Sequence, residues 1–432
     1  MKPWSRISLS IVALGALSLA CSLLTSPSAP QTAIQPAIPS TVTGGTPAIE
    51  LPTQPTTVQP ATPFNVPSVS PVIESPQPTA TSDLPGGLAT ARDQTISFYD
   101  LNGAQVSQVE LPQFTFPQRS RIHIAGSMPA SGQAVPLLYF SFDNEESLHF
   151  RDGNGQIFAL LNGVSFLGLT GVPGKPVVAF SQIEYLDVNL RSKIYVGSIQ
   201  TLPSAAPVSV IDDPESWAIK PVLVEAENGT PAKIWYTRIA YGIGGDIVFE
   251  PRKGLFTLDL ATGQAITILD NNVSPWDISE DRNWCAYSAS ETQNNSLCIK
   301  NLQTGAEVCF PALPAGEPRG AGDAYFSPNA RYVAWMEGEG WQMAEVPSFK
   351  ATVRVGQNDG AVIADLPMNS FETAAGIGPL SWAEPVEWLD DQTVIMQVRG
   401  QEWDRAVLLR YNIVSKETSY LAPGEFVGLL YP

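Results

Sequence analysis

Histidine is the first residue type to examine for catalysis, because it is the commonest general base near neutral pH. The 432-residue chain contains only two, His123 and His149. It carries no Gly-x-Ser-x-Gly motif, the turn that presents the nucleophile of α/β-hydrolase enzymes. We therefore assign both histidines structural roles and predict no catalytic residue.

Three pairs of adjacent acidic residues offer the two carboxyl groups that glycoside chemistry needs; they are Glu145-Glu146, Asp212-Asp213 and Asp390-Asp391. We predict that all three lie in turns between strands, where acidic residues are common. Calcium is an alternative use of such oxygens, with Asp143, Asn144 and Glu146, or Asp152 and Asn154, as ligands. Neither spacing matches an EF-hand, so we predict turns, no metal site and no cofactor.

Three cysteines, Cys285, Cys298 and Cys309, lie close together in sequence. A four-residue turn over residues 302–305 places Cys298 opposite Cys309 on adjacent strands. An exported protein can form disulfides, and we predict the Cys298–Cys309 pair. The rival pair is Cys285–Cys298, and a third alternative is three reduced cysteines packed as small apolar residues. The lack of a Cys-x-x-Cys motif argues against zinc.

Tryptophan side chains can stack on sugars or on peptide side chains. We assign Trp276, Trp335 and Trp388 to packing, and predict that Trp341, Trp382 and Trp403 lie near loops and form a binding surface. Residues 359–384 read as a long insertion rich in Gly, Ala and Pro. Because unusual length inside a regular repeat needs a reason, we predict that this segment is a functional loop.

The elements that must position these residues are short strands. Residues 254–269 and 296–310 each read as a hairpin in which apolar and polar residues alternate, the period-two pattern of a strand. Gly263 and Gly305 supply the positive φ that such turns need. The two Thr-Gly pairs are 42 residues apart, within the spacing of four-stranded propeller blades.

A second motif precedes the hairpins. Residues 326–335, FSPNARYVAW, resemble the TolB-like (WD-like) propeller repeat, whose pattern is Trp-Ser-Pro-Asp-Gly-Lys followed by a β-branched strand. Asn329-Ala330 stands where that family prefers Asp-Gly, and residues 274–284 and 386–396 are looser copies. The resemblance implies a β-propeller but assigns no activity to any residue.

We therefore predict an all-β fold, a β-propeller of seven four-stranded blades, with six or eight as alternatives. The predicted outer hairpins lie near residues 95–111, 147–161, 192–211, 253–269, 296–310, 341–355 and 406–421. The last strand, residues 426–430, has no hairpin after it, and the first strands, from residue 87, have no inner strand before them. We expect these two ends to pair and close the ring, which removes exposed sheet edges.

The N-terminus reads as an export signal. Residues 1–21 combine Lys2 and Arg6 with a 14-residue apolar stretch that ends before Cys21. The segment LSLAC resembles the lipobox of bacterial lipoproteins, which implies lipidation of Cys21; Ser18 departs from that pattern, and ordinary cleavage near Ala20 is the alternative. Residues 22–84, rich in Pro, Thr and Ser, are predicted to be a disordered linker. The propeller is expected over residues 85–432.

The net charge of −18, from 42 acidic and 24 basic residues, argues against nucleic acid and against electrostatic docking on anionic lipid. We predict an exported protein held at the membrane by its lipid anchor only, outside the cytoplasm. Its predicted function is a non-catalytic binding or scaffold module for a protein, peptide or glycan at the cell envelope. The alternatives are a hydrolase or lyase acting on a polysaccharide or peptide at the channel mouth, and a purely structural envelope protein.

Overall fold

The computed structural model describes most of the chain from residue 84 onward. The described ranges are 84–111, 122–127, 134–143, 145–163, 165–172, 175–186, 189–241, 248–289, 295–314, 316–340, 349–401 and 405–431. The predictions for the signal sequence, Cys21 and the linker lie outside these ranges. Within them, no helix is long and apolar enough to cross a membrane.

Seven antiparallel sheets of four strands each make up the described fold. Blade 1 consists of β28 (Glu425–Leu430), β1 (Gly87–Arg92), β2 (Thr95–Asp100) and β3 (Gln105–Glu110). Blade 2 consists of β4 (Ile122–Ile124), β5 (Leu137–Asp143), β6 (Glu145–Arg151) and β7 (Ile157–Gly163). Blade 3 consists of β8 (Phe166–Gly171), β9 (Val177–Leu186), β10 (Asn189–Ser198) and β11 (Ser209–Asp213).

The second half of the chain repeats the same arrangement. Blade 4 consists of β12 (Trp217–Glu227), β13 (Thr230–Ala240), β14 (Arg252–Asp259) and β15 (Ala265–Leu269). Blade 5 consists of β16 (Val273–Ile278), β17 (Trp284–Ala289), β18 (Leu297–Asn301) and β19 (Glu307–Cys309). Blade 6 consists of β20 (Arg319–Phe326), β21 (Tyr332–Glu339), β22 (Lys350–Gln357) and β23 (Val362–Pro367). Blade 7 consists of β24 (Leu380–Asp390), β25 (Thr393–Gly400), β26 (Ala406–Asn412) and β27 (Thr418–Pro423).

Blade 1 joins the two ends of the chain. The C-terminal strand β28 is the innermost strand of this blade, and it pairs with β1 in antiparallel register from Gly87–Leu430 to Ala91–Glu425. This pairing confirms the predicted ring closure and the count of seven blades. The innermost strands of the seven blades surround the central channel of the propeller.

The outer hairpins form because an Asp or Asn ends the third strand and accepts hydrogen bonds from the turn. In blade 4, Asp259 Oδ1 accepts from the backbone N–H of Thr262 at 2.8 Å, and in blade 5 Asn301 Oδ1 accepts from that of Thr304 at 2.8 Å. Asp100, Asp152 and Asn412 make equivalent bonds in blades 1, 2 and 7. Six of the seven hairpins were predicted correctly from sequence, and these Asx turns explain five of them.

The TolB-like motif forms the turn between the first and second strands of blade 6. Ser327 Oγ accepts a hydrogen bond from the backbone N–H of Tyr332 at 3.0 Å, and Asn329 Oδ1 accepts from that of Arg331 at 2.9 Å. Ala330, which replaces the Gly of the family pattern, has a φ of 55°. The turn of the motif is therefore retained, although Ala330 adopts a left-handed conformation that is unfavourable for a residue with a Cβ.

The predicted hairpin near residues 341–355 was wrong. The third and fourth strands of blade 6 are β22 and β23, and Gly360 (φ 94°) lies in the turn between them. Residues 359–384 are therefore not an insertion, because they contain β23, a 3-10 turn (Met368–Phe371), the one-turn helix α1 (Glu372–Ala375) and the start of β24. Phe371 is fully buried, so this connection belongs to the core and is not a free loop.

Packing between blades uses large aromatic side chains. Trp335 is fully buried and its ring centroid lies 4.6 Å from that of Phe310 of the preceding blade. Trp388 is also buried, and its indole N–H donates to the carbonyl of Tyr325 at 2.9 Å. Trp276 is partly buried and packs against the two hydrophobic clusters that contain Trp388 and Trp335. The three tryptophans assigned to packing from the sequence therefore have that role.

Blade 6 also contains a buried ion-pair network. Glu337, of which 1% of the side chain is exposed, lies 2.6 Å from Nη1 of Arg354 and 3.6 Å from Nε of Arg319. Both arginines are nearly as buried as the glutamate. Each ion loses much of its hydration energy on burial. Each charge of this network therefore needs its opposite charges for burial to be tolerated.

Candidate binding site in the central channel

The innermost strands are irregular at comparable places. In six blades the register between the first and second strands shifts, for example between Pro221 and Leu223, Pro275 and Asp277, and Gly322 and Tyr325. Such bulges bend a strand and change where its side chains point. Proline is tolerated at a bulge because the ladder is interrupted there, so its missing N–H leaves no hydrogen bond unmade. We call the end of the channel at which the innermost strands begin the upper mouth.

Blade 4 contributes the first group of charges near this mouth. Lys220 Nζ lies 2.8 Å from Oε2 of Glu250, and Arg252 Nε lies 3.0 Å from the same oxygen. Arg252 also donates through Nη1 to the carbonyl of Pro275 at 3.0 Å and lies 4.7 Å from the ring centroid of Trp276. Burial alone would raise the pKa of Glu250, but the two cations outweigh it and lower that pKa to about 2. Glu250 is therefore an ionised, fully paired carboxylate.

Blades 7 and 1 contribute the second group. Arg399 of β25 forms an ion pair with Glu425, the first residue of β28. Glu384 of β24 accepts hydrogen bonds from Gln397 Nε2 at 2.8 Å and from the side chain of Trp382. Burial raises the pKa of Glu384 even though Arg399 and these donors oppose the shift.

Asp323 of β20 lies between these two groups and differs from the other carboxylates. Its φ is 48° and it occupies the bulge of blade 6. Among the described residues it makes no hydrogen bond and no ion pair. Burial, followed by the nearby charge of Glu384, raises the pKa of Asp323 to about 7 against the opposing charge of Arg252. Near neutral pH this carboxyl group is therefore poised between its two protonation states.

Aromatic side chains pack against Gly322, the residue before Asp323. Phe249 lies in the connection between β13 and β14 and packs on Trp276, with ring centroids 5.8 Å apart. A Cβ on Gly322 would lie 2.4 Å from Cδ1 of Phe249 and 2.8 Å from Cζ2 of Trp276. Only glycine fits at this position, and Phe249, of which 5% is exposed, belongs to the core beneath β20.

Of the three tryptophans predicted to form a binding surface, Trp382 alone lies in the described part of the chain. Trp341 and Trp403 lie outside the described residues. Trp382 is only 8% exposed and stacks on Phe349 at 5.2 Å, so the prediction of an exposed Trp382 is corrected. The reason is that residue 382 belongs to β24 and faces the core between blades 6 and 7.

Two of the three cysteines lie on the outer strands of blade 5. Cys298 and Cys309 are direct cross-strand partners in β18 and β19, and the structure joins their sulfur atoms in a disulfide. Cys285 is buried in β17, where its cross-strand partner is Lys300 and not Cys298. The rival pairing therefore has no support from the register.

The histidines have structural surroundings. His123 is buried in β4 and its Nε2 lies 2.7 Å from the carbonyl oxygen of Lys175. His149 stacks on Tyr139 with ring centroids 5.3 Å apart. Burial lowers the pKa of both imidazoles. His123 therefore has a hydrogen-bond partner inside the fold, and His149 packs against an aromatic ring.

Two of the three acid pairs were placed wrongly in turns. Glu145-Glu146 begins β6, where Glu146 accepts a hydrogen bond from the backbone N–H of Phe166 at 2.6 Å. Asp212-Asp213 ends β11, and its two carboxylates form ion pairs with Arg191 and Arg238. In Asp390-Asp391 the first residue ends β24 and the second lies in the following turn. In the described ranges, no three His, Cys, Asp or Glu side chains form a metal-binding group.

The residues that sequence reasoning missed are Glu250, Asp323 and Glu384. A signal was present for two of them: a charged residue stands beside Gly or Pro inside an apolar strand, as in Gly322-Asp323 and Glu384-Pro385. Such a break in a strand often marks a bulge. The same pattern occurs at Lys220-Pro221 in blade 4.

The strand order defines the chain as a β-propeller of seven four-stranded blades. No family model matches the sequence, and no curated protein matches it.

Among solved structures, the chain is similar to an oligogalacturonate lyase in complex with manganese, with 14% identity over 79% of this chain and 86% of that chain and a TM-score of 0.46. It is similar to TolB from Acinetobacter baumannii, with 13% identity over 80% of each chain and a TM-score of 0.35. A prolyl endopeptidase matches with 10% identity over 81% of this chain but only 50% of its own, with a TM-score of 0.43. Likeness at this level concerns the fold and carries no conclusion about function.

Proposed function

We propose that this protein is a binding module that holds a protein, peptide or glycan at the upper mouth of its propeller. The observation that carries the proposal is the convergence of Glu250, Asp323 and Glu384 at one place in the channel. These residues come from three different parts of the sequence, and each keeps part of its surface accessible to solvent. Charged groups gathered in a rigid ring are suited to recognition, since little ordering is needed on binding.

The proposal includes export and a lipid anchor on Cys21, with residues 22–84 as a spacer. Its support is the n-region, the apolar stretch and the lipobox-like LSLAC segment of the sequence. A Pro-rich spacer extends by about 3 Å per residue and would hold the propeller away from the membrane. Cys21→Ala is expected to move the protein from the membrane fraction to the soluble fraction. Retention of this variant in membranes would refute the anchor.

Site-specific photo-crosslinking in intact cells tests the binding function. One variant carries a photoreactive amino acid at Gln401, an exposed residue whose N–H donates to the carbonyl of Pro379, just before β24 begins. The matched control carries it at Val106, which is 43% exposed on the outer strand of blade 1. We expect a discrete crosslinked species from position 401 and none from 106. A glycan array probed with the same protein covers the case of a sugar ligand. The absence of a crosslink from both positions, together with no binding to any glycan on the array, would contradict the proposal.

A second candidate function is a hydrolase or lyase at the same mouth, and one observation favours it. Glu250 is ionised whereas Asp323 titrates near neutral pH, and carboxyl groups with separated pKa values can serve as base and acid. A panel of oligosaccharides and peptides tests this alternative. The enzymatic function would be supported by turnover of one of these substrates that is lost in both Glu250→Gln and Asp323→Asn.

A further inference from the structure

We propose that two copies of this protein associate through β7, the outermost strand of blade 2, which pairs with its equivalent about a twofold axis at Ala159. The two four-stranded sheets would then form one continuous sheet of eight strands. This contact uses the outer edge of a blade, on the strand furthest from the channel. The inference is therefore independent of the binding function proposed for the upper mouth.

The backbone of β7 offers hydrogen-bonding groups along its outer edge. The sheet of blade 2 has the order β4-β5-β6-β7, and no described strand lies beyond β7. The carbonyl of Gln156 accepts from the N–H of Asp152 at 2.9 Å and so faces β6. Successive backbone groups of an antiparallel strand alternate between its two sides. The N–H groups of Ile157 and Ala159 therefore point outward, where a further strand or water can accept from them.

The sequence of β7 does not protect this edge. Outermost strands usually carry charged residues or proline, which prevent pairing with another chain. Among the outermost strands described, β3, β11, β19 and β23 contain acidic residues, and β27 ends on Pro423. β15 has neither a charge nor a proline, but it is only five residues long. β7 also has neither, and with seven residues it is the longest of these strands.

The side chains of β7 make a second copy of the same strand a suitable partner. Its first five residues, IFALL, are all apolar, and Ile157 and Phe158 are 36% and 40% exposed. An antiparallel pair centred on Ala159 places Phe158 opposite Leu160 of the second copy. It also places Ile157 opposite Leu161, so that each apolar side chain faces another. At the axis two small alanine side chains meet, which avoids a clash.

Symmetry and charge set the size and strength of the assembly. A twofold contact uses the same surface on both copies, so it ends at a dimer and does not continue into a fibre. The net charge of −18 opposes association, but β7 itself contributes no charge to the contact. Because one strand from each copy makes the contact, the interface is smaller than that of a stable dimer. We therefore expect a weak dimer, with a dissociation constant on the order of 10 µM.

Cysteine crosslinking tests the position of the axis. In protein carrying Cys21→Ala and Ala159→Cys, the new thiol is the reactive one, because Cys298 and Cys309 form a disulfide and Cys285 is buried. Directly opposite residues that exchange hydrogen bonds in antiparallel strands have Cα atoms about 5.5 Å apart, which suits a disulfide. Mild oxidation should convert most of this variant to a covalent dimer on a non-reducing gel.

Two matched controls place the cysteine on other outermost strands. Val106→Cys lies on β3 and Thr267→Cys on β15, and both positions are exposed. Each should give less than about a tenth of the dimer obtained from position 159, since opposed thiols are not held together there. Equal yields at all three positions would show random collision and overturn the inference. A dimer from position 267 alone would place the contact on β15 and would also overturn it.

Sedimentation of the Cys21→Ala protein gives a second readout that needs no new cysteine. Its mass should rise from monomer towards dimer between about 1 µM and about 200 µM. Ala159→Lys sets two ammonium groups opposite each other at the axis, and should weaken the dimer at least about tenfold; Val106→Lys should leave it unchanged. Urea unfolding checks that both variants are folded. A monomer at the highest concentration, or an Ala159→Lys dimer as tight as the parent, would refute the inference.

Discussion

Replacing Asp323 with Asn should stabilise the protein, and the gain should depend on pH. Asp323 has an ordinary pKa of 3.8 when unfolded and a pKa of about 7 when folded. The folded protein therefore holds a proton that the unfolded chain has already released between these values. Stability is greatest below the unfolded pKa and is lost as pH rises through the folded one.

The size of the loss follows from the shift. One pKa unit corresponds to about 1.4 kcal/mol, so a shift from 3.8 to about 7 amounts to about 4 kcal/mol. Solvent in the channel reaches part of the side chain, and we therefore expect about 2 kcal/mol. Asn carries no charge at any pH. Asp323→Asn should thus match the wild type near pH 4 and exceed its free energy of unfolding by about 2 kcal/mol at pH 8.

Urea unfolding at pH 4, 5, 6, 7 and 8 measures this difference. Glu110→Gln is the control, since its side chain lies on the outer strand of blade 1, and its difference from the wild type should be small and flat. A difference for Asp323→Asn that does not change between pH 4 and pH 8 would refute the assigned pKa. A variant less stable than the wild type at pH 8 would show that Asp323 already has a partner inside the protein.

Three further predictions concern the scaffold. Glu337→Gln leaves two buried arginines without their shared counter-charge, and should lower the free energy of unfolding by about 3 kcal/mol in urea titrations; an unchanged midpoint would contradict this. Mass spectrometry without reduction should find Cys298 linked to Cys309, and free thiols at both positions would disprove the pair. Ala330→Gly removes a left-handed residue with a Cβ, and should raise stability by about 0.5–1 kcal/mol; a destabilised variant would count against the assigned φ.

The regular part of the fold was predictable because its signals are local. Asp259 and Asn301 accept hydrogen bonds from backbone N–H groups three residues further along the chain. Each of these hairpins is therefore determined by one short stretch of sequence. Blade 6 was misread even though Asp359-Gly360 is a turn signal, because the run before it was assigned to a hairpin that starts at residue 341. The register of a strand decides which face its side chains occupy. The wrong hairpin also left Trp382 in a predicted loop, where it was expected at the surface. It lies instead in β24 and faces the core.

The channel site was not predictable, because it depends on pairs that are distant in sequence. Lys220, Asp323 and Glu384 lie on three separate blades, and their approach requires the whole ring to be assembled. Each stands at or beside a bulge, and a bulge changes the direction of a side chain by an amount that sequence patterns do not reveal. The ion pairs that hold Glu250 form within blade 4, whereas the charge of Glu384 that acts on Asp323 comes from a different blade.

The cost of keeping Asp323 unpaired is an argument about function in its own right. A propeller blade does not need an acid at this position, since Asn would keep the bulge and the left-handed φ without a buried charge. A residue that weakens the folded state by about 2 kcal/mol at pH 8 is typical of a site that acts on something outside the protein. A ligand that pairs with Asp323 would return that energy, so ligand binding and stability should be coupled. A ligand identified by crosslinking should therefore raise the free energy of unfolding of the wild type more than that of Asp323→Asn.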